Sequence, residues 1–258
     1  ADGVAVKETL FEMVKSTLNK KNSIIAFSDN ASAIKGHHIK YFSPNFESNV
    51  YTMKNQQNHI TFTAETHNFP TGVAPFPGAA TGIGGRIRDN QSIGRGGLLI
   101  AGTAGYSVGN LHINDFVENW EKVKPYCQSV TVSPCKILIE ASNGASDYGN
   151  KIGEPIINGF TRSFGLEMPD NSFVEWIKPI MFTGGIGQMN EMHKYKLMPK
   201  KNMNVVRLGG PAYRIGVGGG AASSRIQEKS NEKQDLTAVQ RGDPEMENKL
   251  NRVVRNCI

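Results

Sequence analysis

Glu65, His67, Arg86, Arg88 and Asp89 fall within one 25-residue stretch, residues 65–89. A carboxylate can hold a divalent cation through oxygen. An imidazole takes a proton near neutral pH or hydrogen-bonds a substrate amide. An arginine fork matches a phosphate with two parallel hydrogen bonds. Together these are the parts of a site that handles phosphoryl groups. Between the histidine and the arginines runs Gly78-Ala79-Ala80-Thr81-Gly82-Ile83-Gly84-Gly85. It reads as a glycine-rich bend whose backbone can approach a ligand and whose N–H groups can form an anion-binding concavity. No Gly-Lys-Ser/Thr closes it as a Walker A loop, and the dinucleotide spacing is absent. Each feature also has a plainer reading. His67 can be a turn residue before Asn68-Phe69-Pro70, and Glu65 a solvated strand end. The glycines can be a tight turn against a neighbour, and Arg88 with Asp89 a surface ion pair worth little.

The elements that position these residues follow from periodicity. Residues 59–67 alternate as a half-buried strand, with Ile60, Phe62 and Ala64 on one face and Thr61, Thr63, Glu65 and His67 on the other. The period of two puts Glu65 and His67 on the same polar face. If 86–89 is extended, Arg86 and Arg88 share a face as well. Leu10, Phe11, Val14 and Leu18 predict an amphipathic helix over 7–18. Residues 23–27 and 50–53 read as strands, and 35–48 as loop or edge strand. Ser133-Pro134 reads as a cap followed by proline, opening a helix over 134–145, with a strand over 136–140 as the alternative. A helix is expected over 155–164, strands over 177–182 and 205–208, and a linker over 194–204. Asp243-Pro244 repeats the cap signal, and the helical spacing after it reaches Cys257 without a stop. Of 28 glycines, eleven lie in 72–109 and nine in 184–220, without a period. Two such zones mark places where backbone meets ligand or neighbouring backbone. The second zone, 209–224, suits either a phosphate at a helix start or close packing between domains.

Hydrophobic content of 38% with 20% charged residues is ordinary globular usage, and 258 residues allow one domain or one and a half. No apolar stretch approaches a membrane span or a secretory leader. Cys127, Cys135 and Cys257 have no metal-ligand spacing, and their sparse, odd count reads as reduced thiols in the cytoplasm. A net charge of +6 favours encounter with phosphate anions. Its lysines and arginines are scattered, with only Lys20-Lys21 and Lys200-Lys201 as pairs, so no nucleic-acid interface is expected.

Residues 65–89 resemble the phosphoribosylformylglycinamidine synthases, of the large single-chain, eukaryotic-like type. Further runs continue the likeness over nearly the whole chain. They include Ala101-Gly102-Thr103-Ala104-Gly105-Tyr106, the stretch 140–150, Gly153-Glu154-Pro155, Gly184-Gly185-Ile186-Gly187 and the stretch 239–247. The resemblance implies an α+β fold. Residues 1–195 would form an AIR-synthetase-like A domain, a mixed sheet with flanking helices, and 196–258 the truncated start of a B domain. It implies an ATP-dependent ligase that converts formylglycinamide ribonucleotide to the amidine. Ammonia would come from a glutaminase domain, and a second synthetase half would complete the enzyme, both absent from this chain.

Position by position, the resemblance makes His67 catalytic and Thr66, Asn68 and Arg88 substrate-binding. Glu65 and Asp89 would hold Mg²⁺. ATP would be bound by Gly78, Ala79, Ala80, Thr81, Gly82, Ile83, Gly84, Gly85, Arg86, Ile87, Arg88 and Asp89, and by Asn158, Gly159 and Phe160. Phe69 replaces a second histidine found in many bacterial members. The chain starts without Met, and upstream and downstream family segments that complete the site are missing. A fragment is therefore expected, inactive alone and with apolar surface exposed where the other half would pair. Aminoimidazole ribonucleotide synthetase and selenophosphate synthetase are a second reading, but lack the Glu65-Thr66-His67-Asn68 run. A non-catalytic nucleotide-binding module is the third.

Overall fold

The alternating stretch at 59–67 is the end of a much longer strand. The computed structural model describes residues 6–45, 47–121, 132–211, 222 and 231–258. In it β3 runs over Val50–Thr66 and pairs antiparallel with β2, Ser32–Asn45. Within the expected loop or edge over 35–48, residues 35–45 are strand, and they form the sheet's edge, because β1, Ser23–Ile25, pairs only with Ala33 and Ile34. Further along lie β4, Leu98–Val108, β5, Ile156–Ser163, the short hairpin β6, Gly165–Glu167, with β7, Phe173–Glu175, and β8, Ile180–Asn190. The main sheet has the order β1-β2-β3-β8-β4-β5. Only β4 and β5 pair parallel, so the sheet is mixed, as expected.

One face of this sheet is covered by α2, Asn68–Val73, α3, Pro75–Gln91, and α4, Pro134–Ile152. Ser133 caps α4 as predicted, and the helix runs past the expected 145. Gly153, at φ 88°, closes it in the left-handed conformation. The core between α3, α4 and the sheet holds Ala79, Ile83, Ile87, Ala141, Ala145, Tyr148 and Met181.

Several expectations are corrected. Residues 78–89 form no bend and no extended segment. They lie inside α3, with Pro75 at its start, and their N–H groups serve the helix instead of an anion-binding concavity. Residues 155–164 form the strand β5 instead of a helix, and 205–208 form no strand. The buried and exposed faces of β3 are the reverse of a simple apolar-in reading. Thr61 and Thr63 face the helices, at 0% and 9% exposure, while Ile60 and Phe62 are each 42% exposed. On the covered face the Thr61 hydroxyl donates to Asn90 Oδ1 of α3 at 2.8 Å.

The predicted helix over 7–18 is α1, Leu10–Ser16, with a Thr9/Glu12 capping box and none of its residues buried. Residues 194–204 lack helix and strand, as a linker should. After them, α5, Glu232–Ala238, and α6, Pro244–Arg255, return to pack on α2 and α4, and Asp243 caps α6 as predicted. Cys135 and Cys257 are free thiols, and Cys127 and most of the second glycine zone lie outside the described residues. Among the described residues, no helix is long and apolar enough to cross a membrane.

Arg86 ties these elements together. Its guanidinium forms a bidentate pair with Glu154, both side chains fully buried, and its Nε donates to Thr183 Oγ1 at 3.2 Å. It lies against Gly102 and Gly185, which are directly paired across β4 and β8. A Cβ on Gly185 would fall 2.1 Å from Nη1, and one on Gly102 2.5 Å from Nη2. Neutralising one member of a buried pair leaves an uncompensated charge, which costs about 3–5 kcal/mol. Glu154→Gln is therefore expected to lower unfolding free energy by an amount in that range in urea titrations. A loss below about 1 kcal/mol would contradict the role given to this pair.

Candidate functional site

The site lies where β3 runs into α2. Beyond Thr66 the His67 N–H still donates to Met181 O at 2.9 Å, extending the sheet by one bond. The His67 carbonyl accepts from Thr71 Oγ1 at 2.7 Å, and Asn68 Oδ1 accepts from Met181 N at 2.9 Å. The backbone at His67 is thus clamped on both sides. Its ring is held too, because Nδ1 lies 2.6 Å from Gly78 O. A carbonyl only accepts, so Nδ1 carries the proton and the neutral ring presents Nε2 as its acceptor. Gly82 gives the ring room, since a Cβ there would sit 2.9 Å from His67 Cβ.

Glu65 and Arg88 lie close enough to this histidine to act on its charge, and both also act on Asp89. Burial lowers the His67 pKa, the Gly78 carbonyl and the Glu65 charge oppose that, and Arg88 adds to it. Burial raises the Asp89 pKa, with the Glu65 charge adding to the rise and Arg88 opposing it. Glu65 Oε1 accepts from the Thr66 N–H at 2.9 Å, and Thr66 itself is exposed. Among the described residues there is no group of three or more metal-type ligands. Glu65 and Asp89 do fit Mg²⁺, which takes one or two carboxylates and completes its shell with phosphate oxygens and water. The half-buried Asp89 carboxyl, raised partly by Glu65, is the kind of group a cation would relieve.

The other predicted residues separate. Of the segment assigned to ATP, Ala79, Ile83, Arg86 and Ile87 are fully buried, and Arg86 is bound to Glu154. Gly85, Arg88 and Asp89 are its less buried members beyond Ala80. Arg86 and Arg88 therefore do not share a face. Asn158, Gly159 and Phe160 sit on β5 and line a concavity of about 390 Å³ with Ser142, Ser146 and Tyr106. That concavity includes none of Glu65, His67, Arg88 or Asp89. A larger cleft of about 680 Å³, lined by Lys54, Gln56, Asn58 and Gln188 among others, contains no predicted site residue. The candidate site therefore rests on its titratable groups and coincides with neither concavity.

Sequence reasoning missed the partners of Arg88. Its Nη1 donates to Glu247 Oε2 at 2.8 Å, in place of the surface pair with Asp89 that the plainer reading offered. Tyr148 donates its hydroxyl to the same oxygen. Thr81 Oγ1 donates to Gln240 O at 2.8 Å and accepts from Gly242 N at 3.3 Å, so the 240–247 segment is docked on α3. Tyr148 and residues 239–247, Glu247 included, already belonged to the motif pattern, but nothing in it pointed to these contacts.

No family model matches the chain. Its whole length is 55% identical to phosphoribosylformylglycinamidine synthase of Dictyostelium discoideum, and 52% identical to the human enzyme of that name. It spans 19% and 20% of those proteins, about a fifth of their length. These matches bear out the resemblance drawn from the motifs. Among solved structures, PurL of Thermotoga maritima complexed with FGAR is similar with a TM-score of 0.49 and 22% identity, over 77% of this chain and 27% of that one. The same protein complexed with ATP has a TM-score of 0.46 and 18% identity, over 92% and 28%.

His67 is expected to titrate below the ordinary histidine value of about 6.5 in an NMR pH series. Its folded pKa is depressed, so the stability due to its neutral ring is complete above that value and is lost as pH falls through the lower one. A midpoint above about 6.5 would mean that Glu65, and not burial, governs the ring.

Proposed function

We propose, from its likeness to the phosphoribosylformylglycinamidine synthases, that the chain supplies the imidazole and phosphate-binding groups of their ATP-dependent synthetase reaction. The observation that carries this reading is His67, fixed in one tautomer, with Glu65 and Arg88 near it and Asp89 within reach of those two charges. The 55% identity over the full chain supports it independently. In the proposed reaction the formamide oxygen of formylglycinamide ribonucleotide attacks the γ-phosphorus of ATP, and ADP leaves. Ammonia then adds to the activated carbon and phosphate departs.

His67 Nε2 has the free lone pair needed to accept a proton as ammonia adds, and its depressed pKa keeps that pair available at neutral pH. Arg88, on the exposed side of α3, suits a phosphate of the ribonucleotide. Glu65 and Asp89 would hold Mg²⁺, whose charge when bound offsets the charge on the transferred phosphoryl group. Residues 1–195 are assigned to the first A-type domain and those from 196 to the start of the B domain. The open sheet face, with Ile60, Phe62, Phe160 and Ile186 each more than 40% exposed, supports a second synthetase half as its neighbour.

In the intact enzyme, His67→Ala is expected to cut amidine formation by about 10²–10⁴-fold while glutaminase activity persists. Synthesis at the wild-type rate would end the assignment. Asp89→Asn is expected to weaken nucleotide binding in calorimetric titrations at varied Mg²⁺. Titration curves that match wild type at every Mg²⁺ concentration would remove Asp89 as a ligand. A chain without Mg²⁺-dependent ATP binding would favour a non-catalytic scaffold that keeps the fold without the nucleotide site.

A further inference from the structure

We infer that Glu247 is a positioning residue for the substrate phosphate: it aims Arg88, and Tyr148 holds it in place. This rests on the reading of Arg88 as a substrate-binding group. Arg88 extends from α3 with its side chain 46% exposed, while Glu247 is 8% exposed. A long, exposed arginine has many rotamers to lose when it binds an anion. The 2.8 Å bond from Nη1 to Glu247 Oε2 fixes one edge of the guanidinium and leaves its remaining N–H groups for a phosphate.

Glu247 is itself fixed. Tyr148 donates to the same Oε2, and its ring is held so closely against α3 that a Cβ on Gly84 would fall 2.5 Å from it. The first turn of α6 carries the carboxylate, and the Asp243 cap on Met246 N at 3.0 Å sets that turn. Glu247 Oε1 is buried and has no hydrogen-bond partner among the described residues, so both donors act on Oε2. Oε2 is thus the atom through which the carboxylate sets the guanidinium.

The test is a double-mutant cycle in the enzyme that contains this chain. Glu247→Gln, Arg88→Ala and the double variant are assayed for KM of the ribonucleotide, kcat and thermal midpoint, with Tyr148→Phe as a milder variant. Glu247→Gln is expected to raise KM by about tenfold with a smaller change in kcat, and Tyr148→Phe by about threefold. In the Arg88→Ala background Glu247→Gln is expected to add little, because the group it aims is gone. Equal costs of Glu247→Gln in both backgrounds would overturn the inference, as would a lowered thermal midpoint with KM at the wild-type value. If Arg88→Ala itself leaves KM at the wild-type value, the reading of Arg88 fails, and with it this role for Glu247. Should Glu247→Gln not fold, Tyr148→Phe stands in for it. A KM left unchanged by that substitution in the otherwise wild-type enzyme overturns the inference equally.

Discussion

A buried charge pair sets the geometry on which the site depends. Arg86 leaves α3 on its inner side and meets Glu154, Thr183, Gly102 and Gly185. Glu154, Gly102 and Gly185 come from separate runs of the motif pattern that marked the chain, and Thr183 lies just before one of them. The pair brings them to one point. Burying two ions is a poor way to gain stability, because desolvation offsets most of the attraction. It is an effective way to fix register, since a displaced α3 would leave a bare charge in the core. A residue two positions on is rotated by about 200° around a helix, so the inward Arg86 requires an outward Arg88. Asp89 follows beside it. The buried arginine thus determines where the exposed one can reach.

The same packing explains why residues 78–89 were misread. Each glycine costs a helix about 1 kcal/mol relative to alanine, and local propensity alone argues for a bend. Here the helix is imposed by what lies around it. Gly82 admits His67 and Gly84 admits Tyr148, at distances that no side chain would allow. The glycines do mark close approach, as the sequence suggested, but of protein to protein within a helix. Residues 155–164 failed for a related reason. Gly159 passes so close to β4 that a Cβ would lie 1.8 Å from Ala104 O, a constraint visible only once the strands are paired. The caps at Ser133 and Asp243 were legible because their signal is complete within a few residues.

The candidate site divides along the same line. Glu65 and His67 could be read from strand period, and Arg88 and Asp89 from residue type. Glu247 and Tyr148 could not, because they lie 159 and 99 residues from the partners they meet. Alternation in β3 gave the phase of the strand correctly. It did not say which face the helices would cover, and the threonine face is the covered one, with Thr61 bonded to Asn90 and Thr183 to Arg86. Hydrophobicity alone would have chosen the other face, where Ile60 and Phe62 remain open.

This arrangement also accounts for the charge state of the site. Partial burial favours neutral forms, lowering the pKa of His67 and raising that of Asp89. Glu65 acts on both in the same sense, raising each, so it opposes burial at the histidine and reinforces it at the aspartate. A divalent cation held by Glu65 and Asp89 would offset that negative field, favouring the ionised form of Asp89 and weakening the support that Glu65 gives to protonated His67. Under the proposed function Glu65 and Asp89 would hold the ion, while His67 keeps its place in the clamp between Met181 and Gly78.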